Sequence, residues 1–110
     1  MNLLFVCTEN RLRSPTAEAL FDGYPGVRVR SAGIGPLAPT PVSRELIEWV
    51  HVIVVMEAMH RDEIEREHGD ALEGTPLVCL DIPDRFAYMD AELVELLERR
   101  VPEHVSVPER

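Results

Sequence analysis

The chain has 110 residues, 45% hydrophobic and 28% charged, which suffices for one buried core and is too little for two. Its net charge of −9 excludes nucleic acid as the main partner and disfavours an anionic membrane surface, since both are bound by an excess of Lys and Arg. Two cysteines make no disulfide framework, no segment reaches transmembrane length, and the apolar run at 3–6 is too short for a signal peptide. The expectation is a single cytoplasmic domain over 1–110, monomeric and with its thiols kept reduced.

In chain order, the first apolar run, 3–6, reads as a buried strand. A helix follows in which Ala17, Leu20 and Phe21 share a face, then a second strand at 27–30. Thr40 as N-cap with Pro41 in the first turn predicts a second helix, with Val42, Leu46, Trp49 and Val50 turned inward. Strand three is expected at 50–55, and a helix from about 59 to 68 that stops at Gly69. A fourth strand at 77–80 precedes a last helix over 91–101, capped by Asp90 and ended before Pro102, with Val94, Leu97 and Val101 on its apolar side. Strands alternating with helices predict an α/β fold, a doubly wound parallel sheet with helices on both faces. Ligands of such sheets sit at the carboxyl ends of the strands, which directs attention to the loop after strand one.

That loop reads Cys7-Thr8-Glu9-Asn10-Arg11-Leu12-Arg13-Ser14 and runs into Pro15-Thr16-Ala17-Glu18. Cys-x5-Arg alone arises by chance in roughly one chain in ten of this length, and a following Ser or Thr reduces that to roughly one in a hundred. The strand before and the helix after reduce it further. Backbone N–H groups of Thr8, Glu9, Asn10, Arg11, Leu12 and Arg13 can turn inward as an anion nest above a helix N-terminus. Asn10 suits a left-handed backbone position in so tight a loop. Arg13 offers a planar, permanently charged fork to two phosphate oxygens. Cys7 lies at the centre of this positive potential, and such surroundings favour the nucleophilic thiolate. Ser14 is placed to donate a hydrogen bond to the sulfur. The residue set points to phosphate monoester hydrolysis through a phosphocysteine.

Cys7 to Ser14, with Pro15, Ala17 and Glu18, resembles the loop of the low-molecular-weight protein tyrosine phosphatases, Cys-x5-Arg-Ser-Pro-x-Ala-Glu. Ser31-Ala32-Gly33 looks like the family's turn after strand two, and Val52 to Glu57 resembles its third strand and the acidic residue after it. The Asn10 to Glu18 wording and Leu80-Asp81-Ile82-Pro83-Asp84 are similar to a short bacterial-type branch of predicted phosphatases. The resemblance implies four parallel strands, a phosphocysteine intermediate, and neither metal nor other cofactor. It also implies an aspartic general acid near the C-terminus, for which Asp84-Arg85-Phe86 is the nearest match and Asp81 the second candidate. This chain departs from the pattern at four places. Asp84 lacks a following Pro, Leu12 stands where a second loop Cys is frequent, Glu9 stands at a usual Gly, and 31–40 is compact. Glu9 opposes a phosphate dianion unless its side chain points away, and Leu12 either protrudes from the loop or packs beneath it.

Outside the loop, His51, His60, His68 and His104 are too scattered for a metal site and read as surface or helix-face residues. Cys79, Met56 and Met59 read as packing, and Glu92, Glu95, Glu98, Arg99 and Arg100 as the solvated face of the last helix. Phe86 and Tyr88 either line the cleft or pack. The expected substrate is a phosphorylated protein, foremost on tyrosine, or a small aryl phosphate. Two other functions fit the loop: a phosphate- or phosphoprotein-binding module without turnover, and an arsenate reductase in which Cys79 relays electrons from Cys7.

Overall fold

The structure is a computed structural model and describes residues 1–107. Eight elements alternate along the chain. They are β1 (Asn2–Cys7), α1 (Arg13–Phe21), β2 (Arg28–Gly33), α2 (Arg44–Trp49), β3 (Val52–Val55), α3 (Ala58–His68), β4 (Leu77–Cys79) and α4 (Ala91–His104). The four strands form one parallel sheet in the order β2-β1-β3-β4. Side chains of a strand alternate between the sheet's faces, and the two cores follow that alternation. Leu3, Phe5 and Cys7 pack with Ala17 and Phe21 of α1 and with Leu93, Leu97 and Val101 of α4. Leu4 and Val6 turn the other way, onto Leu46 and Ile47 of α2 and Ile64 of α3. The fold is therefore α/β with helices on both faces, as the alternating pattern predicts. The chain leaves β1 to one side for β2 and reaches β3 and β4 on the other. The end of β1 is thus the switch point at which such sheets bind ligands.

Four local expectations are corrected. Ser31, Ala32 and Gly33 are not a turn after β2 but its last three residues, paired with Phe5, Val6 and Cys7. The second helix does not start at Thr40 and Pro41. Gly33 N–H donates to the Thr40 carbonyl and Val42 N–H to that of Gly33, so these residues pair with the end of β2. The helix begins after Ser43, whose hydroxyl accepts from Leu46 N–H. Strand three starts at Val52 because Val50 caps α2, its N–H bonded to the Leu46 carbonyl. The last helix passes through Pro102 to His104. Proline there forfeits one N–H bond, but Val101 and Val105 are both buried in the first core and hold the final turn in place.

Candidate active site

Everything in the expected loop is arranged around the end of β1. Cys7 is buried at the floor of a cavity of about 150 Å³, whose walls are Thr8, Glu9, Arg11, Leu12, Arg13 and Asp84. Asn10 takes the left-handed conformation (φ 57°) that its residue type permits. From behind, β2 supports the loop. Ile34 N–H donates to the Cys7 carbonyl and Gly35 N–H to that of Thr8. Gly33 is required by this close approach, since a Cβ there would meet Thr8 O at 2.6 Å and Asn10 N at 2.9 Å.

Beneath the loop the proton directions can be followed through a buried network. Asn10 Nδ2 donates to Ser14 Oγ (3.1 Å) and to Ser31 Oγ (2.9 Å), and Ser31 in turn donates to Glu18 Oε1 (2.8 Å). Ser14 Oγ stands 3.0 Å from Cys7 Sγ and 3.3 Å from the Ala32 carbonyl. With one lone pair of Ser14 filled by Asn10, its single hydrogen points either to Ala32 or to sulfur. A thiol leaves it on Ala32; a thiolate draws it across. The Ser14 hydroxyl can therefore serve either acceptor.

Arg13 is almost fully buried at 1% exposed, and its orientation is fixed by partners distant in sequence. Nη1 pairs with Glu57 Oε1 and donates to the Ile82 carbonyl at 2.7 Å. Nε, 3.7 Å from Asp84 Oδ1, and Nη2 remain for a ligand. Asp84 is exposed at the mouth, with its carboxylate reaching toward the guanidinium. Asp81 is turned elsewhere: its Oδ1 accepts from Cys79 Sγ, and its own backbone is left-handed at φ 55°. Leu12 protrudes at the rim, and Glu9 is exposed beside it.

Several expectations outside the loop change. His60 is not a surface residue: it is fully buried, its Nδ1 accepting from Glu57 N–H and its Nε2 3.0 Å from Thr8 Oγ1. Burial, and then the charge of Arg13, lower its pKa to about 4, outweighing the opposite pull of Glu57 and Asp84. The signal for it was present in the sequence. Glu57 and His60 stand three apart at a helix start, the spacing of a capping box, and both reciprocal bonds of one are made. Cys79 does pack, half-buried on the edge strand against the second core; burial pushes its thiol up. Met59 is exposed, Phe86 packs in the first core, and Tyr88 is exposed. Arg100 does not merely face solvent but donates to the Leu80 and Asp81 carbonyls. Among the described residues no three His, Cys, Asp or Glu side chains cluster as a metal would require, and no helix is long and apolar enough to cross a membrane. A larger cavity of about 290 Å³, bordered by Ile34, Val42, Ile64, Glu63, Glu67 and His68, is lined by no Cys, Ser or Thr.

The chain and its fold resemble known proteins. The sequence profile described as low molecular weight phosphotyrosine protein phosphatase matches residues 2–51. A Bacillus subtilis (strain 168) protein named protein-arginine-phosphatase is 31% identical over 96 residues, covering 63% of this chain and 64% of that one. A Geobacillus stearothermophilus protein of the same name is 40% identical over 76 residues, covering 62% and 47%. The matched part is thus less than two thirds of either relative's length. Among solved structures, the YwlE arginine phosphatase C7S mutant with phosphorylated active site serine superposes with a TM-score of 0.73 at 26% identity, covering 94% of both chains.

Proposed function

We propose that the chain is a phosphatase of the low-molecular-weight phosphotyrosine protein phosphatase family, whose profile matches residues 2–51, and that it hydrolyses phosphorylated protein side chains through a phosphocysteine on Cys7. The observation that carries this reading is the convergence of Cys7 Sγ, Ser14 Oγ at 3.0 Å and the buried Arg13 fork on one small cavity open at Asp84. In the first step the Cys7 thiolate attacks phosphorus, the bond to the leaving group breaks, and Asp84 supplies that group's proton. Arg13 and the loop amides take up the charge on the equatorial oxygens. In the second step water attacks the phosphocysteine, Asp84 accepts a water proton, and the thiolate departs onto the Ser14 hydrogen bond. A relative that carries phosphate on its active-site serine supports attack from this position.

Phosphoarginine is the substrate we propose first. Both curated relatives are named for it, and the rim carboxylates of Glu9 and Asp84 complement a guanidinium leaving group. Phosphotyrosine is the second reading, supported by the family's description and by the exposed Leu12 at the rim and Tyr88 beyond the acid. A reductase relay through Cys79 has poor geometry. Two strand spacings of about 4.8 Å put its Cα roughly 10 Å from that of Cys7, beyond disulfide reach of about 7 Å. A pure binding module has no need of Asp84 beside Arg13. A reducing cytoplasm is the setting proposed for the free thiol.

The test is turnover of two peptides of identical sequence, one phosphorylated on arginine and one on tyrosine, by wild type and Cys7→Ser with chelator and reductant present. Release of phosphate that survives the chelator and disappears in Cys7→Ser is expected, faster from phosphoarginine. Chelator-sensitive turnover, or an active Cys7→Ser variant, would refute the cysteine mechanism; faster release from phosphotyrosine would reverse the substrate order.

A further inference from the structure

His60 is fully buried 52 positions from Thr8, and no step of the phosphoryl transfer uses it. The bonds around the ring fix its tautomer. Glu57 N–H reaches Nδ1 at 2.9 Å, and a backbone amide can only donate, so Nδ1 bears no hydrogen. In the neutral ring the hydrogen is then on Nε2, which lies 3.0 Å from Thr8 Oγ1 and donates to it. Thr8 accepts through one lone pair and keeps its own hydrogen for another partner. Its residue lines the cavity above Cys7. The charged groups facing the ring are Arg13, Glu57 and Asp84; burial and Arg13 oppose a second ring proton, so the imidazole stays neutral at working pH.

We propose that His60 is a positioning residue that fixes the Thr8 hydroxyl as a hydrogen-bond donor to the bound phosphoryl group. The ring thereby anchors the phosphate loop to the N-terminus of α3, the same turn whose Glu57 orients Arg13. A phosphoryl oxygen, which accepts, satisfies the hydroxyl; a group that can only donate does not. This rests on the reading of the loop as a phosphate cradle. It differs from a purely structural role, in which His60 merely closes the capping box and its loss weakens the fold without changing affinity for phosphate.

The experiment is calorimetric titration of inorganic phosphate at pH 6.5 into wild type, His60→Ala, His60→Gln, Thr8→Val, Thr8→Ser and the His60→Ala/Thr8→Val double variant. One lost hydrogen bond corresponds to about a tenfold weaker affinity. His60→Ala and Thr8→Val should each show that loss, and the double variant about the same loss again rather than a hundredfold one, because both break one bond. His60→Gln, which keeps an acceptor and a donor, and Thr8→Ser, which keeps the hydroxyl, should stay within about threefold of wild type. Wild-type affinity in folded His60→Ala, or additive losses in the double variant, would overturn the proposal. Should His60→Ala fail to fold, equal affinity in Thr8→Val and Thr8→Ser would overturn it instead. Failure of wild type to bind phosphate removes the cradle reading and this one together, whereas unaltered variants beside a binding wild type remove this one alone.

Discussion

The two parts of the site are built on opposite plans. The loop from Cys7 to Arg13 hangs from β1, whose residues 3–7 are all buried, and a polar network beneath it holds Asn10, Ser14 and Arg13 to fixed partners. The segment bearing Asp84 leaves β4, an edge strand of three residues, and Pro83, Asp84 and Arg85 are all exposed. It is held at its ends instead. Arg100 Nη1 donates to the Leu80 and Asp81 carbonyls at 2.8 Å, Ile82 and Phe86 are buried, and Met89 N–H donates to Thr16 Oγ1 at 3.0 Å. The contrast follows from what each part does in the proposed reaction. Donors for an anion lose least when they are fixed before it arrives. A carboxylate that serves the leaving group and then water has to meet solvent.

Arg13→Lys should break the fixed half most severely. A point charge cannot keep Glu57, the Ile82 carbonyl and two phosphate oxygens together, and kcat/KM should fall about 10³-fold, with both constants affected. Wild-type kinetics would show that the fork is not the clamp. Asp84→Asn tests the exposed half and should separate substrates. A loss of about 10²-fold is expected for a poor leaving group, and much less for an activated aryl phosphate, with phosphate affinity unchanged. Equal losses on both would take the acid role from Asp84. Arg100→Ala should loosen that segment's anchor and lower kcat by about threefold with KM unaltered, an effect of less than one hydrogen bond's worth; a raised KM would mean the anchor extends to the cradle.

The smallest effect at neutral pH, and the largest in acid, concerns His60. Its pKa falls from 6.5 to about 4 on folding, so between these values the unfolded chain binds one more proton than the folded one. Stability from the neutral ring is fully present above about pH 6.5 and is lost as pH falls toward 4, amounting to about 3 kcal/mol over the whole interval. Urea midpoints measured from pH 7 to 4 should drop less in His60→Gln than in wild type. Parallel curves would rule out a protonation cost at this residue.

The half of the site that was legible in the sequence is the half that is contiguous in it. Cys7, Asn10, Arg13 and Ser14 lie within eight residues of chain, so spacing alone singled out the candidate loop, and Asn10 signalled the left-handed bend. Glu57, His60 and Ser31 meet the loop from 44, 52 and 21 positions away, and no local pattern states which loop residue each will touch. The strands were readable because central parallel strands are continuous apolar runs. Their ends were not, since Gly33 and Pro41 form a bridge that a helix-start pattern cannot foresee. Pro102 failed as a stop signal for a related reason: burial of Val101 and Val105 outweighs the missing N–H.

The central position of β1, flanked by β2 and β3 and covered on both faces, also sorts the molecule by timescale. Amides of Leu4, Phe5 and Val6 should therefore exchange with solvent only when the whole domain opens, whereas those of the exposed residues around Asp84 should exchange through local opening.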